Sequence, residues 1–160
     1  MDNLQNIAPN KPLYVYQCPM FLLTVSTAVI VDNGIILIED GDCVKMPGGV
    51  VRPSQETIQF AAVRYVKEQT GILLKKDALI PVDFRSSPER SEDGNIIDIG
   101  FVCIPEKVDP DIIQNAHPYA KWEAVDFEIK KLIDFGKKKK FYMDHKILLE
   151  RALDVVMMIR

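Results

Sequence analysis

The sequence predicts an α/β fold with a central mixed sheet between helices, and three stretches predict it. Phe21 to Val31 is rich in β-branched and apolar residues, is closed by Asp32-Asn33-Gly34 and is answered by Ile35 to Ile38. It reads as a buried strand, a hairpin turn with the Asn-Gly signal and a return strand. Pro47-Gly48-Gly49 then turns the chain, and Ala61, Ala62, Tyr65 and Val66 recur at helical spacing until Gly71, a residue suited to the left-handed position that ends a helix. Asp144 to Met158 is a second helical stretch, with Leu148, Ala152, Val155 and Ile159 at core spacing. Strands interleaved with a central and a terminal helix suit a sheet covered on both faces.

The remaining elements follow in order. Residues 1 to 13 are polar, contain Pro9 and Pro12 and read as a loose arm, and Tyr14 to Tyr16 as a short edge strand. Glu39-Asp40-Gly41-Asp42 is a second turn, and Cys43 to Met46 leads into the glycines. Pro53 and Ser54 offer the helix start, with Ser54 as the N-cap. Leu73 and Leu74 open a connector broken by Lys75-Lys76-Asp77, and Leu79 to Phe84 is a strand bent at Pro81. Ser86 to Gly94 is a polar loop. Ile96 to Ile104 is a strand with Ile97, Ile99, Phe101 and Cys103 on one face and Asp98 and Gly100 on the other, read as the solvent side. Pro105 to Asn115 is a loop, Ala120 to Val125 a strand holding Trp122, and Phe127 to Ile133 a short helix. The expectation is one domain over residues 1–160, with the arm at 1–13 and a C-terminal helix over 144–159 capped by Asp144.

Composition narrows the function classes. A chain of 160 residues is long enough for one real core. Its net charge of −3 supplies no field for a nucleic-acid backbone, and its longest apolar run is too short to span a bilayer. Cys18, Cys43 and Cys103 have neither disulfide nor metal spacing, so free thiols in the cytoplasm are expected. Asp2 without a basic cluster is unlike a secretory signal.

The loop and helix over 48–72 carry the chemical signal. Glu56 is followed by Arg64, then Tyr65, Glu68, Gln69, Gly71 and Ile72. This resembles the Nudix box, G-x5-E-x7-R-E-U-x-E-E-x-G-U with U aliphatic. Glu56, Arg64, Glu68, Gly71 and Ile72 match, and Gly49 takes the first glycine if the loop carries one extra residue. Tyr65 and Gln69 stand where the family has glutamates, so the box is degenerate. Ser87-Pro88-Glu89-Arg90 with Gly94, and Met143-Asp144-His145 before the last helix, look like the ADP-ribose pyrophosphatase branch, whose cues are shared by Nudix-like regulators of NAD metabolism. Those regulators add a winged-helix domain, which is not expected within these 160 residues. The resemblance implies a Nudix α/β/α sandwich with a central mixed sheet.

It also implies a chemistry. Nudix hydrolases open a phosphate anhydride with water, using Mg²⁺ to neutralise the phosphates and acidify the water. Mg²⁺ prefers charged oxygen ligands. Glu68 would be the metal ligand and, with Glu56 and Arg64, the catalytic set, while Gln69 could lend only a neutral carbonyl. A Tyr65 phenol with a pKa of about 10 is neither ligand nor base. Asp98 or Glu123 would have to supply any further carboxylate, although each also reads as an ordinary surface charge. The expected function is binding of a nucleoside diphosphate derivative such as ADP-ribose with weak or no hydrolysis, and Mg²⁺ is the cofactor only if the box is active. The alternatives are a working Mg²⁺-dependent pyrophosphohydrolase using carboxylates outside the box, and a vestigial domain binding a partner through the exposed part of its final helix. The partners expected are a small nucleotide ligand and, separately, a second copy in a homodimer.

Other residues have a binding and a structural reading. The Gly48-Gly49 amides suit phosphate, but a tight turn alone explains two glycines. Arg85 and Arg90 are the arginines expected at a diphosphate, because the guanidinium fork matches phosphate oxygens. Trp122 suits stacking on a base or packing in the core. His145 suits a substrate contact or a local hydrogen bond, and Lys137 to Lys140 an acidic partner or a solvated loop.

Overall fold

The ten residues Leu22–Val31 form β1, and the rest of the sheet is arranged on it. This computed structural model describes residues 21–86, 95–109, 111, 118–127, 131–132 and 140–160. The expected arm, the Tyr14 to Tyr16 strand, Arg90 with its loop, and Lys137 to Lys139 lie outside these residues.

β1 is followed by β2 (Gly34–Asp40), β3 (Cys43–Lys45), β4 (Gly48–Val50), α1 (Ile58–Thr70), a 3-10 turn (Lys76–Ala78), β5 (Ile80–Arg85), β6 (Ile96–Cys103), β7 (Ala120–Asp126), β8 (Lys131–Leu132), β9 (Lys140–Phe141) and α2 (His145–Ile159). The sheet runs β5-β6-β1-β2-β3-β9, with β4 also on β1 and β7 also on β2. β6 runs parallel to β1 and β9 parallel to β3, while the other pairs are antiparallel. One edge of β1 changes partner midway: Thr24 to Ser26 pair with β4, and Val29 to Val31 with β2. At the fork the Thr27 N–H donates to the Pro47 carbonyl at 2.8 Å.

Alternation along β1 feeds two cores. Val25 and Val29 pack with Ile36, Ala61, Ala62, Val66 and Phe101 beneath α1. Ala28 and Ile30 pack with Leu37, Val102, Leu148 and Leu153 beneath α2. Each large aliphatic side chain so buried stabilises the fold by about 1.5–3 kcal/mol before its ordering cost. A sheet covered by helices on both faces is the architecture expected.

Several local expectations change. The hairpin forms, but its two loop residues are Asp32 and Asn33, with Asp32 at φ 54°, and Gly34 already pairs with Val31. Gly34 is required because the Trp122 indole lies where a Cβ would stand, 2.2 Å from its Cε2. The N-cap of α1 is Thr57, whose hydroxyl accepts the Phe60 N–H at 3.2 Å, whereas Ser54 sits in a turn at φ 61°. Gly71 ends α1 as expected, at φ 76° with its N–H donating to Lys67. Lys131–Leu132 pairs as a strand with Val125 and Asp126, where a short helix was expected. In α2 the buried face is His145, Leu148, Leu149, Ala152, Leu153 and Val156, leaving Ile159 exposed. Asp98 and Gly100 do not face solvent: they lie on the α2 side of β6, and Leu148 Cδ2 would stand 2.9 Å from a Cβ on Gly100.

Candidate functional site

The Pro-Gly-Gly turn brings the box onto β1. Gly48 and Gly49 pair with Ser26 and Val25. A Cβ on Gly48 would stand 2.0 Å from the Val25 carbonyl oxygen, so only glycine permits this approach. On the other side the loop is gripped by α1. The Gly48 N–H donates to Gln69 Oε1 at 2.8 Å, and Gln69 Nε2 donates to the Gly48 carbonyl at 3.0 Å. The Tyr65 ring lies against Gly49, and its hydroxyl donates to the Val50 carbonyl at 3.0 Å. The two residues that replace glutamates thus hold the backbone of the glycine loop.

The residues that match the box are joined to one another. Arg64 Nε and Nη2 donate to the two oxygens of Glu56 at 2.8 and 2.7 Å, a fork-to-carboxylate pair. The Arg52 N–H donates to Glu56 at 2.9 Å. The Arg64 bonds hold the Glu56 carboxyl down at about 2, burial opposing and the Arg52 N–H assisting, while Glu56 in turn raises the Arg64 guanidinium. Arg64 also stacks over the Tyr65 ring at 4.1 Å and donates through Nη1 to Glu68 at 3.1 Å. Glu68 is half-exposed at the end of this chain of contacts.

On the α2 side of the same loop lies a cavity of about 200 Å³, lined in part by Thr24, Ser26, Gly48, Asp98, Tyr142 and His145. Asp98, 1% exposed, accepts the Thr24 and Ser26 hydroxyls, both at 2.8 Å. The Met46 N–H donates to His145 Nδ1 at 3.0 Å. Nδ1 is therefore unprotonated, and the ring proton of a neutral imidazole lies on Nε2, 3.3 Å from Ser26 Oγ. The bond anchoring His145 joins residues 99 apart in sequence. A cleft of about 580 Å³ opens beside the cavity, lined by Asp40, Lys45, Gln69 and Tyr119 among others.

The other expected residues are dispersed. Arg85 pairs across β5 and β6 with Asp98 in register, but its Nε donates to Asp144 at 2.9 Å. Asp144 adjoins α2 without a side-chain capping bond, and its carboxylate ties β5 to the start of the helix. Trp122 and Glu123 pair with Ile36 and Ile35 on β2. The Trp122 indole N–H donates to the Val31 carbonyl at 3.0 Å. That anchor is five strand residues beyond Ser26, about 17 Å, so neither Trp122 nor Glu123 joins the cavity. Lys45, at the junction of cavity and cleft, was not singled out from sequence, since a lysine in a short strand carries no signal of its own.

A Mg²⁺ site needs several charged oxygens converging. Gln69 and Tyr65 are bonded to the loop, Glu56 to Arg64, and Glu68 keeps a single charged partner. Among the described residues no group of three or more His, Cys, Asp or Glu could hold a metal ion. The donor set of the box therefore does not fit the divalent metal that Nudix hydrolases generally use.

Comparison with known proteins agrees with the fold. An ADP-ribose pyrophosphatase of Methanocaldococcus jannaschii is 40% identical over 76 residues, which is 44% of this chain and 43% of that protein. The match thus spans less than half the length of that relative. The Nudix domain of Shewanella oneidensis NrtR, solved with ADP-ribose, superposes with a TM-score of 0.68 at 14% identity over 91% of this chain and 94% of that one. A MutT/nudix family protein of Enterococcus faecalis gives a TM-score of 0.67 at 17% identity, covering 88% and 64% of the two chains. No helix among the described residues is long and apolar enough to cross a membrane. The glycine loop gripped by α1 and the Glu56–Arg64 fork accord with a NUDIX domain match over residues 20–151, and that match establishes that the chain belongs to the Nudix family.

Proposed function

We propose that this Nudix domain binds a nucleoside diphosphate derivative of the ADP-ribose kind and hydrolyses it weakly or not at all. The observation that carries the reading is the double bond between Gln69 and Gly48. Where the family has a carboxylate for metal, this side chain is neutral and has both its polar atoms on the loop. Tyr65 is engaged in the same way at Val50. The cavity beside the loop, with polar groups from Thr24, Ser26, Asp98 and His145, supports retention of a ligand site. The relatives solved with or named for ADP-ribose support the ligand class.

Calorimetric titration with ADP-ribose, paired with a chromatographic assay for AMP and ribose 5-phosphate in Mg²⁺, tests both halves. The expected result is binding without appreciable product. Turnover in the ordinary enzyme range, about 1–10³ s⁻¹, would sink the reading. The competing reading, a hydrolase using a carboxylate outside the box, is favoured by one observation: Asp98 lines the cavity beside Gly48 and Gly49. In that case Asp98→Asn would abolish turnover.

A further inference from the structure

We propose that Lys45 is a cation that holds the ligand phosphates in this site, so that anion binding here does not depend on a divalent metal. The proposal rests on the ligand class proposed above, and the test separates the two.

Among the described residues, Lys45 is the only lysine or arginine lining either the cavity or the neighbouring cleft, and it lines both. Its position is built. β3 carries it between β2 and β9, its ammonium stands 5.7 Å from the centroid of the Tyr142 ring, and its side chain is 26% exposed. Of the arginines by the box and the cavity, Arg64 is engaged by Glu56 and Glu68 and Arg85 by Asp144, while the exposed Arg52 lines neither space. Lys45 instead pairs at 2.6 Å with Asp40, whose side chain is 57% exposed. An exposed pair of this kind contributes little to stability and is readily exchanged for another anion.

The replacement of a family glutamate sharpens this. Gln69 lines the same cleft as Lys45 and carries no charge. A carboxylate there would repel phosphate and would compete for the ammonium. With a neutral amide, the positive charge of Lys45 faces an incoming phosphate opposed in the cleft by Asp40, since Glu39 there is paired with Lys121 at 2.8 Å, and Asp98 in the cavity has its two oxygens on the Thr24 and Ser26 hydroxyls. A ligand whose uncharged part enters the cavity would bring its phosphates to the junction, where the ammonium would leave Asp40 for phosphate oxygen.

The test is titration of the whole chain with ADP-ribose and, separately, with inorganic pyrophosphate, in chelator and in Mg²⁺. Both anions are expected to bind in chelator, within about twofold of the affinity in Mg²⁺ for ADP-ribose. Lys45→Met, which keeps the apolar stem, is expected to weaken both by at least about tenfold, the lower end for a charge-assisted hydrogen bond. Asp40→Asn is expected to tighten both, about two- to tenfold, by removing the competitor. A misfolded variant cannot mimic that gain. Pyrophosphate binding that depends on Lys45, without ADP-ribose binding, would remove the proposed ligand class and leave the Lys45 assignment standing. Binding abolished by chelator, equal binding by Lys45→Met and the parent, or no binding of either anion by the parent would each overturn it.

Discussion

Gln69 holds Gly48 by both its backbone polar groups, accepting from the N–H at 2.8 Å and donating to the carbonyl at 3.0 Å. An amide can make both bonds at once because it carries an acceptor and a donor, whereas a carboxylate is only an acceptor. The substitution that removes a metal ligand therefore also adds a clamp.

Gln69→Glu is expected to destabilise the protein by about 1–3 kcal/mol, since one bond is lost and an oxygen is turned toward the Gly48 carbonyl. Urea unfolding in chelator measures it. A variant as stable as the parent would mean that the clamp contributes nothing.

Tyr65→Glu combined with Gln69→Glu restores the acidic turn around Glu68. Glutamate suits the helix. The double variant should be less stable in chelator and recover with Mg²⁺, because its carboxylates repel one another until a cation binds. Its hydrolysis of ADP-ribose should exceed that of the parent by at least about tenfold, a barrier change of 1.4 kcal/mol. A parent that already turns over, with no gain in the variant, would direct the search to Asp98.

Gly49 and Tyr65 should prove energetically coupled. A Cβ on Gly49 would stand 2.5 Å from Tyr65 Cζ, so Gly49→Ala forces the ring or the loop to move. The single change should cost about 1–3 kcal/mol, and most of that cost should vanish in a Tyr65→Ala background. A double-mutant cycle with no coupling beyond about 0.5 kcal/mol would contradict the packing.

Glu56 gives the pH dependence its sign. Its folded-state pKa is about 2 against an ordinary 4.5, chiefly through the Arg64 bonds. Its contribution is thus complete above the unfolded value and is lost as pH falls through about 4.5 toward 2. Glu56→Gln should flatten the acid limb of the stability curve in that window. Identical slopes for parent and variant would remove Glu56 as a source of acid sensitivity.

Arg90, carried over from the resemblance, should hold a phosphate. Arg90→Ala is expected to weaken ADP-ribose binding by about 1.5–3 kcal/mol. Unchanged affinity would discard that assignment.

What could be read beforehand tracks how local the signal is. The β1–β2 hairpin, α1 and its Gly71 stop depend on neighbours a few residues away, and the residue pattern sufficed for them. The matches at Glu56 and Arg64 were legible because the box places them on one helix and its loop. Only the solvent-facing reading of Asp98 fails, because alternation along a strand says which residues share a face, but not which face a helix will cover. In the same way, nothing near His145 in sequence points to Met46, and nothing near Lys45 points to two converging spaces. Trp122 and Glu123 lie apart from the cavity for the converse reason: side chains fit for ligand binding stand on β7, whose register with β2 carries them to the far end of β1.

The buried polar lining of the cavity is assembled from distant parts of the chain. Thr24 and Ser26 meet Asp98 across separations of 74 and 72 residues, and Ser26 meets His145 across 119. Each such contact demands that a long loop be closed before any reward is gained, so it is slow to form. The hairpin and α1 can assemble early and bring the glycine loop to its clamp, at which stage the chain has a box and no pocket. Competence to bind should therefore arrive last during refolding, when the parallel pairing of β1 with β6 closes and α2 docks. In a stopped-flow experiment the ligand signal would then lag behind the recovery of helical ellipticity, and a destabilised variant would shed its ligand while most of its secondary structure remained.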